Sequence, residues 1–328
     1  DRRSSIKEVM DGIVTVEKND INLSNANMSS HTPAGQMMTF ASEITKDYAL
    51  KYLVGVRHGR AHRNGDIHIH DLDYYPTKTT TCIQYDLADI YGRGFSTKNG
   101  SVRSPQSIQS YATLATIVFQ TNQNEQHGGQ SIPAFDRFMA PGVLKTFRKH
   151  VADMTLFLCD LRGVTGPDRA TMKRLVAEHV PTIEPCDDAM GALFAALRGT
   201  GMQIADEDIR RIWRQAYDAT RKETHQAMEG FIHNLNTMHS RGGNQVVFSS
   251  VNYGTDCSPE GRMVIRELLA ATIEGLGHGE VPVFPIQIFK IKEGISWSER
   301  DYELAVKEFD KALAGELQFE APNFDLLV

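Results

Sequence analysis

An α/β fold is what this sequence predicts, and three observations carry that expectation. Short runs rich in β-branched residues, at 67–72, 79–87, 245–252 and 283–291, alternate with stretches whose apolar residues recur at helical spacing. Around 241–275 a glycine turn, a strand and a helix opening on Ser258-Pro259 follow one another, the order in which α/β folds present ligands beyond their strand ends. The 328 residues are 41% hydrophobic and 23% charged, enough apolar material for one large domain or two ordinary ones.

Residues 1–22 alternate short apolar pairs with charge and read as a lead-in, which leaves 23–328 as the main domain. Asn27, Ser29, Ser30 and His31 stand just ahead of a helix that begins Thr32-Pro33, an N-cap followed by proline at the first helical position. Met37, Phe40, Ala41, Ile44 and Tyr48 give that helix its apolar stripe. Capping explains one of the four donor side chains; together, at the positive end of a helix, they suit an anion pocket. The basic turn from Arg57 to Arg63 reads as solvated surface.

Ile67, Ile69 and Leu72 interleave with His68, His70 and Asp71, so on a strand the two imidazoles share a face. Beyond Pro76, the run Thr79, Thr80, Thr81, Ile83 and Tyr85 forms a second strand with Cys82 in its middle. Taken alone, such a thiol is more often a small buried hydrophobe than a positioned reactive sulfur. Gly92–Ser104 is a polar loop, and Ser104-Pro105 opens a helix reaching to about 121. The next loop, 121–131, has no aliphatic residue. Its paired Gly128 and Gly129 let a ligand approach the main chain, which gives Gln126, His127 and Gln130 a site-lining role.

Residues 132–240 are mostly helical, with breaks at 163–168, 182–186 and 199–206. The last of these helices, from about 207 to 239, keeps one apolar face and suits a subunit interface. Its His225, His233 and His239 are not spaced as metal ligands. Strand 245–252, helix 259–275, strand 283–291 and a helix at 298–314 complete the chain.

Bulk properties exclude several classes of function. Thirty-five Lys and Arg against 41 Asp and Glu leave a net charge of −6, which argues against an extended nucleic-acid surface. Cys82, Cys159, Cys186 and Cys257 lie far apart without a C-x-x-C pair, so neither a zinc signature nor a disulfide framework is legible. No stretch reaches membrane-spanning length or has signal-peptide character, which makes the cytoplasm the default location.

Five segments then match one family in order. They are Gly65-Asp-Ile-His-Ile-His-Asp-Leu-Asp, Cys82, Asn122-Gln-Asn-Glu-Gln-His-Gly-Gly-Gln-Ser131, Gly243-Asn-Gln with Ser-Val-Asn-Tyr-Gly-Thr-Asp256, and Val283-Phe-Pro-Ile-Gln-Ile-Phe. On these the chain resembles the catalytic subunit of anaerobic (class III) ribonucleoside-triphosphate reductases. The resemblance implies a ten-stranded α/β barrel of two five-strand halves, in a homodimer. It also implies a glycyl radical raised by a radical-SAM iron–sulfur activase, and a finger-loop cysteine whose thiyl radical takes the 3′-hydrogen of the ribose. Formate as final reductant and control by ATP and dATP complete that expectation.

By the same resemblance Cys82 is the strand cysteine that reduces the 2′ position, with His68 or His70 steering protons or formate. Asn27, Ser29, Ser30 and His31 would meet the substrate phosphates. Gln126, His127, Gly128, Gly129, Gln130, Asn244, Gln245 and Asn252 would form the pocket wall. Arg103, Gln106 and Gln109 would lie at a deoxynucleotide effector site. The sequence departs from the family by lacking a glycyl-radical motif, a four-cysteine zinc site and the finger-loop cysteine. The radical site and structural zinc are therefore expected outside these residues, no metal is expected within them, a regulatory domain is expected ahead of 1–22, and the chain reads as a fragment inactive alone.

Two rival readings use the same residues. A His-x-His ending an early barrel strand also begins the metal site of metal-dependent amidohydrolases. Against it, His127 lies in a glycine loop and His233 inside a helix rather than at strand ends. A non-catalytic nucleotide-binding regulatory module would bind nucleotides yet tolerate the loss of Cys82.

Overall fold

A computed structural model describes Asp11 and residues 32–97, 100–240, 245–292 and 294–295. The helix expected at 298–314 lies outside the described residues. The chain forms two compact units: Asp1–Gln84 with Ile117–Ser131 and Leu235–Ser249, and Tyr85–Thr116 with Ile132–Asn234 and Ser250–Val328.

In the first unit α1 (Pro33–Tyr48) starts as expected, with the Thr32 hydroxyl accepting from the Gly35 amide at 3.0 Å. A π-helical turn, Ala49–Leu53, and α2 (Val56–Asn64) follow. The run 67–72 is not the strand its alternation predicts. The chain turns through His70–Tyr74, with Asp71 in the left-handed region at φ 48°, into a 3-10 turn at Tyr75–Thr77. Side chains take the place of a strand partner there: the Ile69 amide donates to His62 Nδ1 at 3.1 Å, and Ser42 donates to Asp73 at 2.7 Å. The second expected strand shrinks to β1 (Ile83–Gln84).

In the second unit Asp86 caps α3 (Leu87–Arg93) by accepting from the Ala88 amide, which ends the strand expected to reach 87. The polar loop expected at 92–104 contains an antiparallel hairpin of β2 (Phe95–Thr97) and β3 (Gly100–Val102). Helix α4 (Ile108–Asn122) starts later than Ser104-Pro105 suggests, because Ser110 Oγ accepts from the Gln106 and Ser107 amides and holds the entry as a turn.

Strand β4 (Gln130–Ile132) leads to α5 (Phe135–Arg162), α6 (Arg169–His179), α7 (Asp187–Gly199) and α8 (Asp206–Thr237). Then come β5 (Ser249–Tyr253), α9 (Pro259–Glu274) and β6 (Ile286–Phe289). Ser258 caps α9 as the sequence predicts, accepting from the Gly261 amide at 3.0 Å. β6 runs parallel to β5 with Ser250 opposite Ile286 and Tyr253 opposite Phe289.

The core of the second unit is aromatic. Phe147 meets Trp213 edge-on at 5.2 Å, and Phe135 stacks on Phe231 at 5.0 Å. The Trp213 indole N–H donates to the Ile183 carbonyl at 3.0 Å, so burial leaves no orphaned donor. Helix α5 also lies close to Tyr111 of α4 because residue 142 is glycine: a Cβ there would stand 2.8 Å from the Tyr111 ring.

The sheet order is β1-β4-β5-β6, with the β2-β3 ribbon separate. The expected α/β class is present, with an open sheet among the described residues, and the ten-stranded barrel expected of the whole enzyme is not shown by them. Closure requires every strand to have two neighbours, and among the described residues β1 and β6 each have one.

Candidate active site

The candidate site in the first unit is built where two short parallel strands begin. β1 pairs with β4 in parallel, Ile83 opposite Gln130 and Gln84 opposite Ser131. Residues preceding the two strands therefore come together: Cys82 before β1, and His127, Gly128 and Gly129 before β4. The Ile83 amide donates to the Gly129 carbonyl at 3.1 Å, and the Gln130 amide donates to the Phe248 carbonyl at 3.0 Å. Cys82 is exposed. Its Sγ stands 4.0 Å from where a Gly129 Cβ would be, while the Phe248 ring stands at 3.3 Å from that point.

Gly128 is required by geometry. Its φ is +102°, and a Cβ would fall 1.5 Å from the Thr81 carbonyl oxygen. Only a residue without a side chain allows the loop to lie this close to the segment that carries Cys82.

His127 is held on three sides. Its amide donates to Thr79 Oγ1 at 3.3 Å, its ring stacks on Tyr74 at 3.8 Å, and its Nε2 lies 3.1 Å from Asp71 Oδ1. The other oxygen of Asp71 lies 3.3 Å from His70 Nε2. His68, next in line, has its ring 6.1 Å from that of His70 and 5.6 Å from that of His62. His68 and His70 are thus close together and exposed, on an irregular segment instead of one face of a strand. The hydrogen bond to Asp71 Oδ1 orients the His127 ring, while Asp71 Oδ2, facing His70, is buried without a hydrogen-bond partner among the described residues.

The glutamines expected to line a pocket also build the loop. Gln126 is buried with its Nε2 donating to the Gly128 carbonyl at 3.3 Å, and buried Gln130 accepts from Asn122 at 3.4 Å. Gln245 is buried, and its carbonyl accepts from the Ser240 amide at 3.1 Å. Gln123 donates to the Val246 carbonyl at 3.0 Å and accepts from the Ser240 hydroxyl, which ties the end of α4 to the segment before β5. In the second unit Asn252 is half-buried on β5, and Arg103, Gln106 and Gln109 are exposed at the approach to α4. Asn27, Ser29, Ser30, His31 and Asn244 lie outside the described residues.

Asp71, Tyr74, Thr79 and Gln123 were not singled out as site residues by sequence reasoning. The Asp71–His127 contact spans 56 positions, and no spacing rule reports a pairing that distant. A signal existed in the Asp-Leu-Asp-Tyr-Tyr-Pro turn, whose acidic and aromatic residues are unusual partners for an isoleucine strand. Among the described residues no three His, Cys, Asp or Glu side chains are grouped so as to hold a metal ion. Among them, too, no helix is long and apolar enough to cross a membrane.

Comparison with known proteins adds to this geometry. The anaerobic ribonucleoside-triphosphate reductase family model matches residues 24–326. The reductase of that name from Enterobacteria phage T4 is 25% identical over 307 residues, covering 93% of this chain and 42% of the relative. Its counterpart in Escherichia coli K12 is 25% identical over 100% of this chain and 39% of its own length. The chain therefore spans about two fifths of the length of these curated relatives. Among solved structures, the Thermotoga maritima anaerobic ribonucleotide reductase, crystallised with citrate in its active site, superposes with a TM-score of 0.53 at 13% identity. The alignment covers 92% of this chain and 49% of that one, a likeness of fold. With nearly the whole chain inside the family model, this protein belongs to the anaerobic ribonucleoside-triphosphate reductase family.

Proposed function

We propose that this chain forms part of an enzyme that reduces ribonucleoside triphosphates to deoxyribonucleoside triphosphates by glycyl and thiyl radical chemistry, with formate as reductant. Family membership supports the reading, and the observation that carries it is the exposed Cys82 thiol beside the Gly128-Gly129 loop at the start of paired parallel strands. In the net change the 2′-hydroxyl leaves as water, hydrogen takes its place, and formate gives up two electrons as it becomes carbon dioxide. The radical source supplies hydrogen abstraction at the 3′ carbon and belongs to residues outside this sequence, as does the structural zinc.

The work assigned to this chain is positional. Cys82 delivers a hydrogen to the 2′ carbon, and exposed His68 and His70 offer donors to a small carboxylate such as formate and steer the departing proton. The Gln126–Gln130 loop, Asn244, Gln245 and Asn252 hold the nucleoside, while Asn27, Ser29, Ser30 and His31 take its phosphates. Arg103, Gln106 and Gln109 face a deoxynucleotide effector, so that effector and substrate bias one conformational equilibrium. A homodimer and a radical-SAM activase complete the system, in the cytoplasm.

The test is the Cys82→Ser enzyme. Activated without oxygen and supplied with ribonucleoside triphosphates and formate, the complete enzyme carrying this chain should form deoxynucleotides. The serine form should lose that turnover entirely while retaining its circular dichroism spectrum and nucleotide binding. Turnover that survives the substitution rejects the assignment.

A further inference from the structure

A second concave feature lies wholly within the other unit. A cleft of about 520 Å3 opens between the first half of α8, the start of α9 and the segment leading into α7. Small-molecule sites run from ~300 to 1,000 Å3. Arg210 and Arg214 line it from one face of α8, and Arg262 and Arg266 line it from one face of α9, each pair four residues apart. Among the described residues Glu184 is the one carboxylate in its lining.

Two of these guanidinium groups, Arg214 and Arg266, are not consumed by the fold among the described residues. Arg210 lies 3.1 Å from Asp187, an exposed pair of little weight. Arg214 and Arg266 make no ion pair or hydrogen bond among the described residues. A basic helix face is ordinarily plain solvated surface. Here two such faces converge on a concave space whose floor includes the buried side chains of Trp213, Met190 and Met263, with Tyr217 half-buried beside them. Trp213 is fixed by its bond to the Ile183 carbonyl, so the floor is rigid. Converging like charges repel one another unless an anion sits between them. Arginine forks match phosphate oxygens, and the positive end of α9, at Pro259, borders the same space.

We infer that this cleft binds a small molecule carrying several phosphate charges, gripped by Arg210, Arg214, Arg262 and Arg266, with room for a flat or apolar group against half-buried Tyr217. The site is separate from the residues assigned to substrate and effector above, and the inference does not rest on the reductase reading.

Two probes distinguish its sources. Inorganic tripolyphosphate and ATP are each titrated into the purified chain by calorimetry, beside the Arg214→Gln/Arg266→Gln variant. Tripolyphosphate should bind with a Kd below about 1 mM at a site that the variant weakens at least tenfold, any binding common to both proteins belonging elsewhere. For the component of binding that the variant loses, equal affinity for the two probes assigns recognition to the phosphate chain alone, and tighter binding of ATP assigns the wall at Tyr217 to a base. Because Cys257 lines the cleft and is exposed, tripolyphosphate should slow its alkylation in the unaltered protein and leave that of exposed Cys82 unchanged. That measurement decides the matter should the variant fail to fold. Absence of saturable tripolyphosphate binding overturns the inference. So does binding that is undiminished in the variant and leaves Cys257 unprotected.

Discussion

The segments around Cys82 and the helices around Trp213 are held in contrasting ways. Near Cys82, regular structure amounts to two residues of β1 and three of β4. The rest is irregular chain fixed by polar links: His127 to Asp71 and Thr79, Gln123 to the Val246 carbonyl, Gln126 to the Gly128 carbonyl. Around Trp213, helices of 28 and 32 residues bury aromatic and aliphatic side chains against one another. The first region depends on backbone geometry that few residues allow, and the second on volume. Burial tolerates an approximate fit, losing energy in proportion to what is removed, whereas a tight turn either closes or does not.

That contrast can be broken by substitution. Gly128→Ala should have the largest effect, because its Cβ would overlap the Thr81 carbonyl oxygen and the β1–β4 pairing would be lost. Gly163→Ala, at a helix end with φ +62° and open space around it, should cost only about 1–2 kcal/mol. Equal urea midpoints for the two variants would refute the distinction. Next comes Trp213→Ala, expected to remove about 3–5 kcal/mol of stability, since the ring is 1% exposed and packed edge-on to Phe147.

A smaller loss is expected from Asp136→Ala. The Asp136 carboxylate, fully buried, accepts from the Gly254, Thr255 and Asp256 amides at 2.8, 3.2 and 3.1 Å. Removing it should cost about 1.5–3 kcal/mol, with amide exchange accelerating at residues 254–256 ahead of the helices. Uniform acceleration along the chain would show that this turn is not a separate dependence.

The smallest effect concerns pH. Paired hydrogen bonds from Arg162, at 2.7 and 2.8 Å, hold Asp208 below the usual carboxylate range. A folded-state pKa below the unfolded value of about 3.9 means that the pair's contribution is complete above that value and fades as pH falls through the folded one. The stability gap between the native chain and Arg162→Gln should therefore narrow as acid is added. A gap that stays constant from pH 6 to well below the carboxylate range would remove Asp208 from the account.

How legible these features were depends on how local they are. Thr32 and Ser258 were recognisable as caps because the hydroxyl, the amide it accepts from and the proline all lie within four residues. Helix α8 was recognisable because its apolar stripe repeats over 32 residues. The alternation at 67–72 misled, because Asp71 and Asp73 are committed to His127 and Ser42, 56 and 31 residues away. Helix α3 escaped notice for a different reason: at seven residues it is too short to show a period. Among candidate site residues, Cys82 and the paired glycines stood out by type and setting, whereas Asp71 and Tyr74 acquire their part only through contact with His127.

By itself the sequence determined the helices of the second unit, their caps, the family, and the thiol and glycine loop around which a site could form. Each of these is written in neighbouring residues, through periodicity, capping chemistry or a contiguous motif. Only the tertiary structure decided that the His68–His70 segment is irregular, that β1 and β4 run parallel so that Cys82 and Gly129 become neighbours, and that four arginines from two helices face one cleft. Those outcomes depend on which distant segment supplies a hydrogen-bond partner or a packing surface, and that choice is settled by the folded chain as a whole.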